Sequence, residues 1–324
     1  MKKIYLILSV FAVVFTACET DFDVNATWEE VTVVYGLLDA GDGKEVQQIK
    51  ISKAFLGNMD ALQMAQYADS INFDPNDLDV KIFRIKNNEV IDSNTLSAVT
   101  IIRDGDLFND TIIIYEFEKI DFLKSDSEYE LVIENKVSGN IVNGSTELIG
   151  NFKFDGLSND YKFGFYNPLL ADSAKYRSKV LNWNQFTNGK IYQVDMIFKY
   201  RENGDTIKLI WSQPLVTSNG NVMNTLLEGE KFFNFLRAEI DTSSTKIRHF
   251  DGIDLMMTVG TTDLETYINV NRPITGIVQQ RPQFTNINNG IGIFSSRFTH
   301  VRSDVILNKD TKDYLIDELD RNFE

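Results

Sequence analysis

The chain has 324 residues, 47 of them acidic and 32 basic, for a formal charge of −15. A protein this acidic, with no basic cluster, repels phosphate backbones and anionic lipid surfaces, which argues against nucleic acid as a partner. Its single cysteine leaves no intrachain disulfide, so the fold must stand on its core. With 43% apolar and 12% aromatic residues it has enough for one or two ordinary cores.

In chain order the first element is a leader. Lys2 and Lys3 precede an apolar run from Ile4 to Phe15, then Thr16-Ala17-Cys18 and an acidic stretch with Glu19, Asp21 and Asp23. The run is too short for a comfortable membrane span. A positive start, a short apolar stretch and small residues before a break are what a signal peptidase recognises. The segment resembles a lipobox, with Phe15 where Leu is commoner. That resemblance implies a signal peptide over 1–17, an acylated Cys18 as the new N-terminus and an acidic tether over 18–27. Acyl chains contribute roughly 0.8 kcal/mol per buried methylene, and two or more give a stable anchor.

The chain after the tether reads mostly as strands. Val31-Thr32-Val33-Val34-Tyr35 is β-branched and aromatic, and Val46 to Ile51 alternates, with Asp39 to Gly43 as the turn between them. The pattern repeats at Val80 to Ile85, Thr111 to Phe117, Tyr129 to Ile133 and Glu147 to Phe154. Asp60 to Ile71 has helical spacing and stops before Asp74-Pro75. Short strands at such spacing predict an N-terminal β-sandwich domain over 28–155.

A second, β-rich domain with helical insertions is expected over 156–324. Gln193 to Tyr200 and Thr206 to Trp211 flank Asn203-Gly204, a strong hairpin signal because both residues accept positive φ. Glu228 to Ile240 places Phe232, Phe235, Leu236 and Ile240 on one helical face, and Leu264 to Val270 follows Thr262 or Asp263 as N-cap. Strands return at Ile253 to Val259 and Gly290 to Phe298, and Lys309 to Phe323 closes the chain as an amphipathic helix. The fold class is therefore mainly β: two sandwich-like domains, a few short helices and a C-terminal helix.

Tyr35-Gly36-Leu37-Leu38, Tyr129-Glu130-Leu131 and above all Thr285-Asn286-Ile287-Asn288-Asn289-Gly290-Ile291-Gly292-Ile293-Phe294 give the chain its distinctive order. Over nearly its whole length it resembles a family of Bacteroidetes lipoproteins known only as a domain of unknown function. Members are often encoded beside TonB-dependent outer-membrane receptors. The resemblance implies an outer-membrane location and a receptor partner, and it carries no active site over. Glu19, Asp21 and Asp23 resemble the signal that sends such lipoproteins to the cell surface. Ser70, Thr111, Ser173 and Thr206, each after an Asp, resemble the O-glycosylation motif of exported Bacteroidetes proteins, though Asp-Ser and Asp-Thr are also ordinary turn starters.

Catalytic chemistry is thin. A nucleophilic triad needs a His, and His249 and His300 each stand alone in strand-like sequence, so a structural or solvent-exposed role is expected for both. Two isolated histidines and one cysteine give no metal-ligand spacing. Gly290-x-Gly292 lacks a third glycine and a βαβ context, so it reads as close backbone approach rather than phosphate binding. Asp39, Asp42 and Glu45, like Asp74, Asp77 and Asp79, lack the spacing of a calcium loop and read as turn formers.

No metal or cofactor is implied. Trp183 and Phe186, in a polar stretch, are the expected ligand surface, with a core-anchor role as the alternative. The functional expectation is a non-enzymatic envelope lipoprotein that binds an outer-membrane receptor or secretion complex. Its alternatives are a surface glycan- or peptide-binding protein, a carboxylate-based glycoside hydrolase and a structural or adhesive module. If Cys18 carries the anchor, Cys18→Ala moves the protein out of the membrane fraction or stalls it as the uncleaved precursor. An unchanged membrane fraction on immunoblotting would contradict the anchor.

Overall fold

The computed structural model describes residues 31–42, 45–54, 71–103, 110–150, 152, 157, 160–220, 222–242, 245–273 and 283–324. Residues 1–30, with Cys18, Glu19, Asp21 and Asp23, lie outside the described residues. So do Ser70, nearly all of the helix expected over 60–71 and most of the boundary expected at 155–160.

The fold is mainly β, with several sheets and three helices among the described residues. The elements in chain order are β1 (Val31–Asp39), β2 (Val46–Ala54), β3 (Leu78–Lys86), β4 (Glu89–Thr95), β5 (Ser97–Arg103), β6 (Asp110–Glu118), β7 (Glu128–Asn135), β8 (Ile141–Glu147), β9 (Lys162–Phe163), β10 (Ser178–Trp183), β11 (Ile191–Glu202), β12 (Asp205–Ser212), β13 (Val216–Thr217), β14 (Met223–Glu228), α1 (Gly229–Glu239), β15 (Arg248–Gly260), α2 (Thr262–Asn271), β16 (Ile287–Asn288), β17 (Gly290–Leu307) and α3 (Lys309–Asp317). A ten-stranded sheet follows the path β12-β11-β15-β17-β1-β2-β6-β5, with β13 beside β11 and β9 beside β17. A five-stranded sheet runs β16-β8-β7-β3-β4, and β10 with β14 makes a separate ribbon.

One face of the large sheet is covered in two places. Around β1, β2 and β6, Val34, Leu38, Ile49, Tyr115 and Phe117 meet Val80, Ile82, Leu131 and Ile133 of the five-stranded sheet, which makes a β-sandwich. Around β11 and β15, Val194, Met196, Phe198, Leu255 and Met257 pack with Phe232, Phe233 and Leu236 of α1, Leu315 of α3, and Leu181 and Met223 of the ribbon. Alternate residues of a strand share a face. Along β17, Phe294 accordingly enters the first core and Phe298 the second. Between them Ser296, fully buried, donates its hydroxyl to the Glu147 carbonyl at 2.6 Å.

The two chain halves meet where β1 pairs with β17 in parallel, from Thr32↔Gly290 to Asp39↔Arg297. Gly292 makes this possible. Its φ is +114°, and a Cβ there would stand 2.0 Å from the Val34 carbonyl oxygen. Just upstream Asn286 imitates a strand neighbour. Its side chain accepts from the Phe294 N–H at 2.9 Å and donates to the Phe294 carbonyl at 2.7 Å.

Several elements depart from the sequence reading. Of the strand expected at 147–154, the described residues 148–150 and 152 are not strand. β8 instead occupies Ile141–Glu147, where polar residues alternate with buried Val142, Gly144 and Thr146. α3 stops at Asp317, and Asp320 and Asn322 take positive φ. The tail then folds back, with Arg248 N–H donating to Asn322 at 3.0 Å and Glu324 N–H to Arg248 at 2.9 Å, and this buries Leu319 and Phe323. The cap of α2 is Thr261, one residue earlier than expected. The Asn203-Gly204 turn has φ of +53° and +92°, as its sequence requires.

Gly292→Ala is expected to cost at least about 3 kcal/mol, because both the dihedral and the contact forbid a side chain. Gly139 also has positive φ but faces open space, so Gly139→Ala should cost only about 1 kcal/mol. Urea unfolding of both variants measures the difference, and equal midpoints would contradict the role assigned to the β1–β17 contact.

Candidate functional site

An aromatic pair outside the cores lies on the opposite face of the large sheet. β1 is apolar on both sides: Val34 and Leu38 face the sandwich, while Val33, Tyr35 and Leu37 face away from it. α2 lies over the outward side. Its cap residue Thr261 follows β15 directly, accepts from the Leu264 N–H and shares a 2.6 Å hydrogen bond with Ser295 of β17. Gly260 leaves room for Leu264, since a Cβ there would come within 2.7 Å of the leucine side chain. No residue of α2 is fully buried, so the helix rests on the sheet without closing over it.

Tyr267 of α2 meets Tyr35 edge to face, with ring centroids 6.3 Å apart. The pair separates two hollows of about 330 Å³ each. The first has an apolar wall of Leu37, Leu264 and Ile293 with Gln48 and Arg297 also lining it; the second is lined by Val270, Phe284 and Ile291 with Asn271, Gln283 and Thr285. Burial pushes the Tyr267 hydroxyl up to about 12, and the neighbouring Tyr35 hydroxyl adds to the effect. The Tyr267 ring therefore presents a neutral hydroxyl at physiological pH.

The charges beside the first hollow are already engaged. Asp39, 3% exposed, accepts from Arg297 Nε at 2.9 Å, Thr299 Oγ1 at 2.9 Å, the Thr299 N–H at 3.1 Å and the Gly41 N–H at 3.0 Å. Gln47 clamps the Asp39 backbone from the other side, at 2.7 and 3.2 Å. This carboxylate ties the end of β1 to β17 and has no capacity left for a cation or a proton transfer. Asp42 takes the ring of His300 at 2.8 Å and the Val301 N–H at 3.1 Å. Among the described residues no group of three His, Cys, Asp or Glu side chains could hold a metal ion.

A third, polar hollow of about 290 Å³ lies at the start of α2, lined by Glu128, Glu147, Asn188, Thr262 and Asp263. Glu128 and Glu147 stand directly opposite each other on β7 and β8, and both are exposed. Asp263 accepts from Asn286 at 2.8 Å.

The other expected site residues are not brought together. Trp183 is 1% exposed, inside the second core against Tyr192, and its indole N–H has no partner among the described residues. That corrects the expectation of a ligand surface at Trp183. Phe186 is half-buried and stacks on Phe152 at 4.2 Å, so it too is committed to packing. Thr206 is exposed beside the hairpin turn and Thr111 is half-buried in β6. Ser173 lies in a short 3-10 turn, Asp172–Ala174, and its side chain is outside the described residues. His249 is exposed on β15. The Tyr35–Tyr267 face was missed, although a strand apolar on both sides signals a covering layer on each.

No family model matches the chain, and no curated protein matches it. Among solved structures the chain is similar to a DUF4785 family protein from Legionella pneumophila. The identity is 12% and the TM-score 0.20, with 70% of this chain and 51% of that one covered. The chain thus spans about half the length of that protein, and a likeness so slight carries no argument about fold or function.

Tyr115 and Tyr314 are also held near 12, mainly by burial. An unfolded tyrosine ionises near 10. Between pH of about 10 and 12 the unfolded chain gives up protons that the folded one keeps, so the stability these rings contribute is full below that window and lost across it. Alkaline titration followed by tyrosinate absorbance should show a late group that ionises only on unfolding. Tyr35→Phe should lower the Tyr267 midpoint yet leave it above 10, since burial is the larger cause.

Proposed function

We propose that the chain is a non-enzymatic, lipid-anchored protein of the bacterial outer membrane that works by binding, and that the Tyr35–Tyr267 face is its binding surface. One observation carries this reading. Two adjoining hollows share a pair of tyrosines on the sheet, with apolar walls, amide side chains and an Asp39 carboxylate filled by Arg297 and Thr299. Such a lining favours a partly apolar ligand surface over a strongly charged one, because the one carboxylate and the one guanidinium in it pair with each other. The lipobox resemblance at Cys18 supports the anchor. Glu19, Asp21 and Asp23 support surface display, and the family resemblance supports an outer-membrane barrel, of the TonB-dependent kind, as the partner.

A second reading has one specific observation in its favour. Glu128 and Glu147 face each other across two strands at the edge of a polar hollow, the arrangement from which a carboxylate glycosidase starts. Both are exposed and face a polar hollow, not the enclosed apolar pocket in which a carboxylic acid is held for proton donation. A purely structural or adhesive role would use none of these hollows.

Replacing both Tyr35 and Tyr267 by Ala in the full-length protein should reduce recovery of the co-purified barrel at least tenfold in a mild-detergent pull-down, about 1.4 kcal/mol of binding. Thermal unfolding, measured alongside, controls for folding. Undiminished recovery by a folded double variant would remove the Tyr35–Tyr267 face from the reading. Hydrolysis of glycosides that is abolished by Glu128→Gln or Glu147→Gln would replace it with the second one.

A further inference from the structure

Strand register gathers several ends of the sandwich at one pole. Val31 pairs with Ala54 and Arg103 with Asp110, while β2 and β6 run side by side from Val46↔Glu118 to Lys50↔Ile114. The start of β1, the end of β2, the start of β6 and the end of β5 therefore stand together. The β7–β8 turn lies at the same pole, because Thr32 pairs with Gly290 and the adjacent Asn289 donates its amide to the Ile141 carbonyl at 3.0 Å. Three aliphatic side chains project there: Val137 at 76% exposed, Ile102 at 72% and Ile141 at 51%.

We infer that this pole lies against the lipid surface, with Val137, Ile141 and Ile102 entering the headgroup boundary. The inference rests on the reading of Cys18 as an acylated anchor. The dozen residues between Cys18 and Val31 span at most about 45 Å whatever path they take, so the start of β1 is the part of the fold that the anchor holds. β17 begins at this pole and runs for 18 residues, which at about 3.3 Å each carries its far end about 60 Å along the sheet. Exposed apolar side chains occur elsewhere too. Ile120 is 62% exposed just after β6, at the opposite pole of the sandwich, and Leu169 is 91% exposed beyond β9. Neither lies beside the start of β1. Tethering makes contact with the membrane intramolecular, so a few aliphatic groups that could not hold a free protein there become sufficient. The net negative charge of the chain disfavours anionic headgroups and leaves a zwitterionic surface as the partner.

Acylation consumes the only native thiol, so a single new cysteine can be labelled uniquely. Full-length acylated Val137→Cys and Ile120→Cys, each carrying an environment-sensitive fluorophore, would be reconstituted into phosphatidylcholine vesicles with and without nitroxide-bearing lipids. The probe at 137 is expected to be quenched at least about twofold and to shift to the blue, and the probe at 120 to change little. Equal quenching at the two positions, or none at 137 in vesicle-bound protein, overturns the inference and leaves the anchor intact. Protein recovered unacylated and free of vesicles overturns the anchor and this inference with it.

Discussion

Everything in this fold hangs on the parallel contact between β1 and β17. Their pairing runs from Thr32↔Gly290 to Asp39↔Arg297 and joins the earliest described strand to the last one. Two glycines let the backbones approach, since a Cβ at Gly290 or Gly292 would press on the carbonyl oxygens of Thr32 and Val34. One end of the contact is closed by side chains, where Asp39 collects Arg297 and Thr299. Midway along it Asn286 clips Phe294, opposite Gly36, from the β17 side. A parallel pair has no short hairpin to bring it together, and the Asp39 clip ties its register instead.

That contact also shapes the surface. Because β1 is central, it needs apolar residues on both faces, and the outward set of Val33, Tyr35 and Leu37 must be covered or left as a hollow. α2 covers part of it. Buried charge is handled locally throughout. Arg248, 1% exposed, is held by Glu202 at 2.7 Å, by Asp241 and by the Arg321 carbonyl at 2.6 Å, and so locks the C-terminal tail onto β15. Lys199 joins Asp254 and Asp304 at 2.7 and 2.8 Å beside the irregular register between β15 and β17. These groups are costly to bury unpaired, which explains why they come in closed sets.

The strands with period-two apolar patterns were legible. β1, β3, β7 and β11 begin within two residues of where their β-branched and aromatic runs place them, and α1 follows its Phe232, Phe235, Leu236 stripe. β4 and β5 were not, because they are one extended run that changes sheets at Leu96, whose N–H donates to Val80 at 2.9 Å. β8 was hidden by Asn143, Gly144, Ser145 and Thr146, a polar composition that works because β16 and β17 approach Gly144 closely. The cross-chain pairing of β1 was beyond reach, since nothing local marks a parallel neighbour so far away in sequence. Trp183 misled for a simpler reason. Its polar neighbours point outward from the ribbon, while the indole takes the inward position.

The distance along the chain between Asp39 and Arg297, 258 residues, sets the order in which the protein can acquire its structure. Local hairpins such as β11–β12 and β7–β8 close cheaply as they emerge. β1 has β2 on one side but must hold its other edge open until Gly290 and the rest of β17 have been made and delivered. Loop-closure entropy makes such long-range pairing slow, and an unpaired apolar edge invites the wrong neighbour in the meantime. A chain with this topology therefore completes its central sheet last, and its safety during delivery depends on whatever shields β1 until β17 arrives.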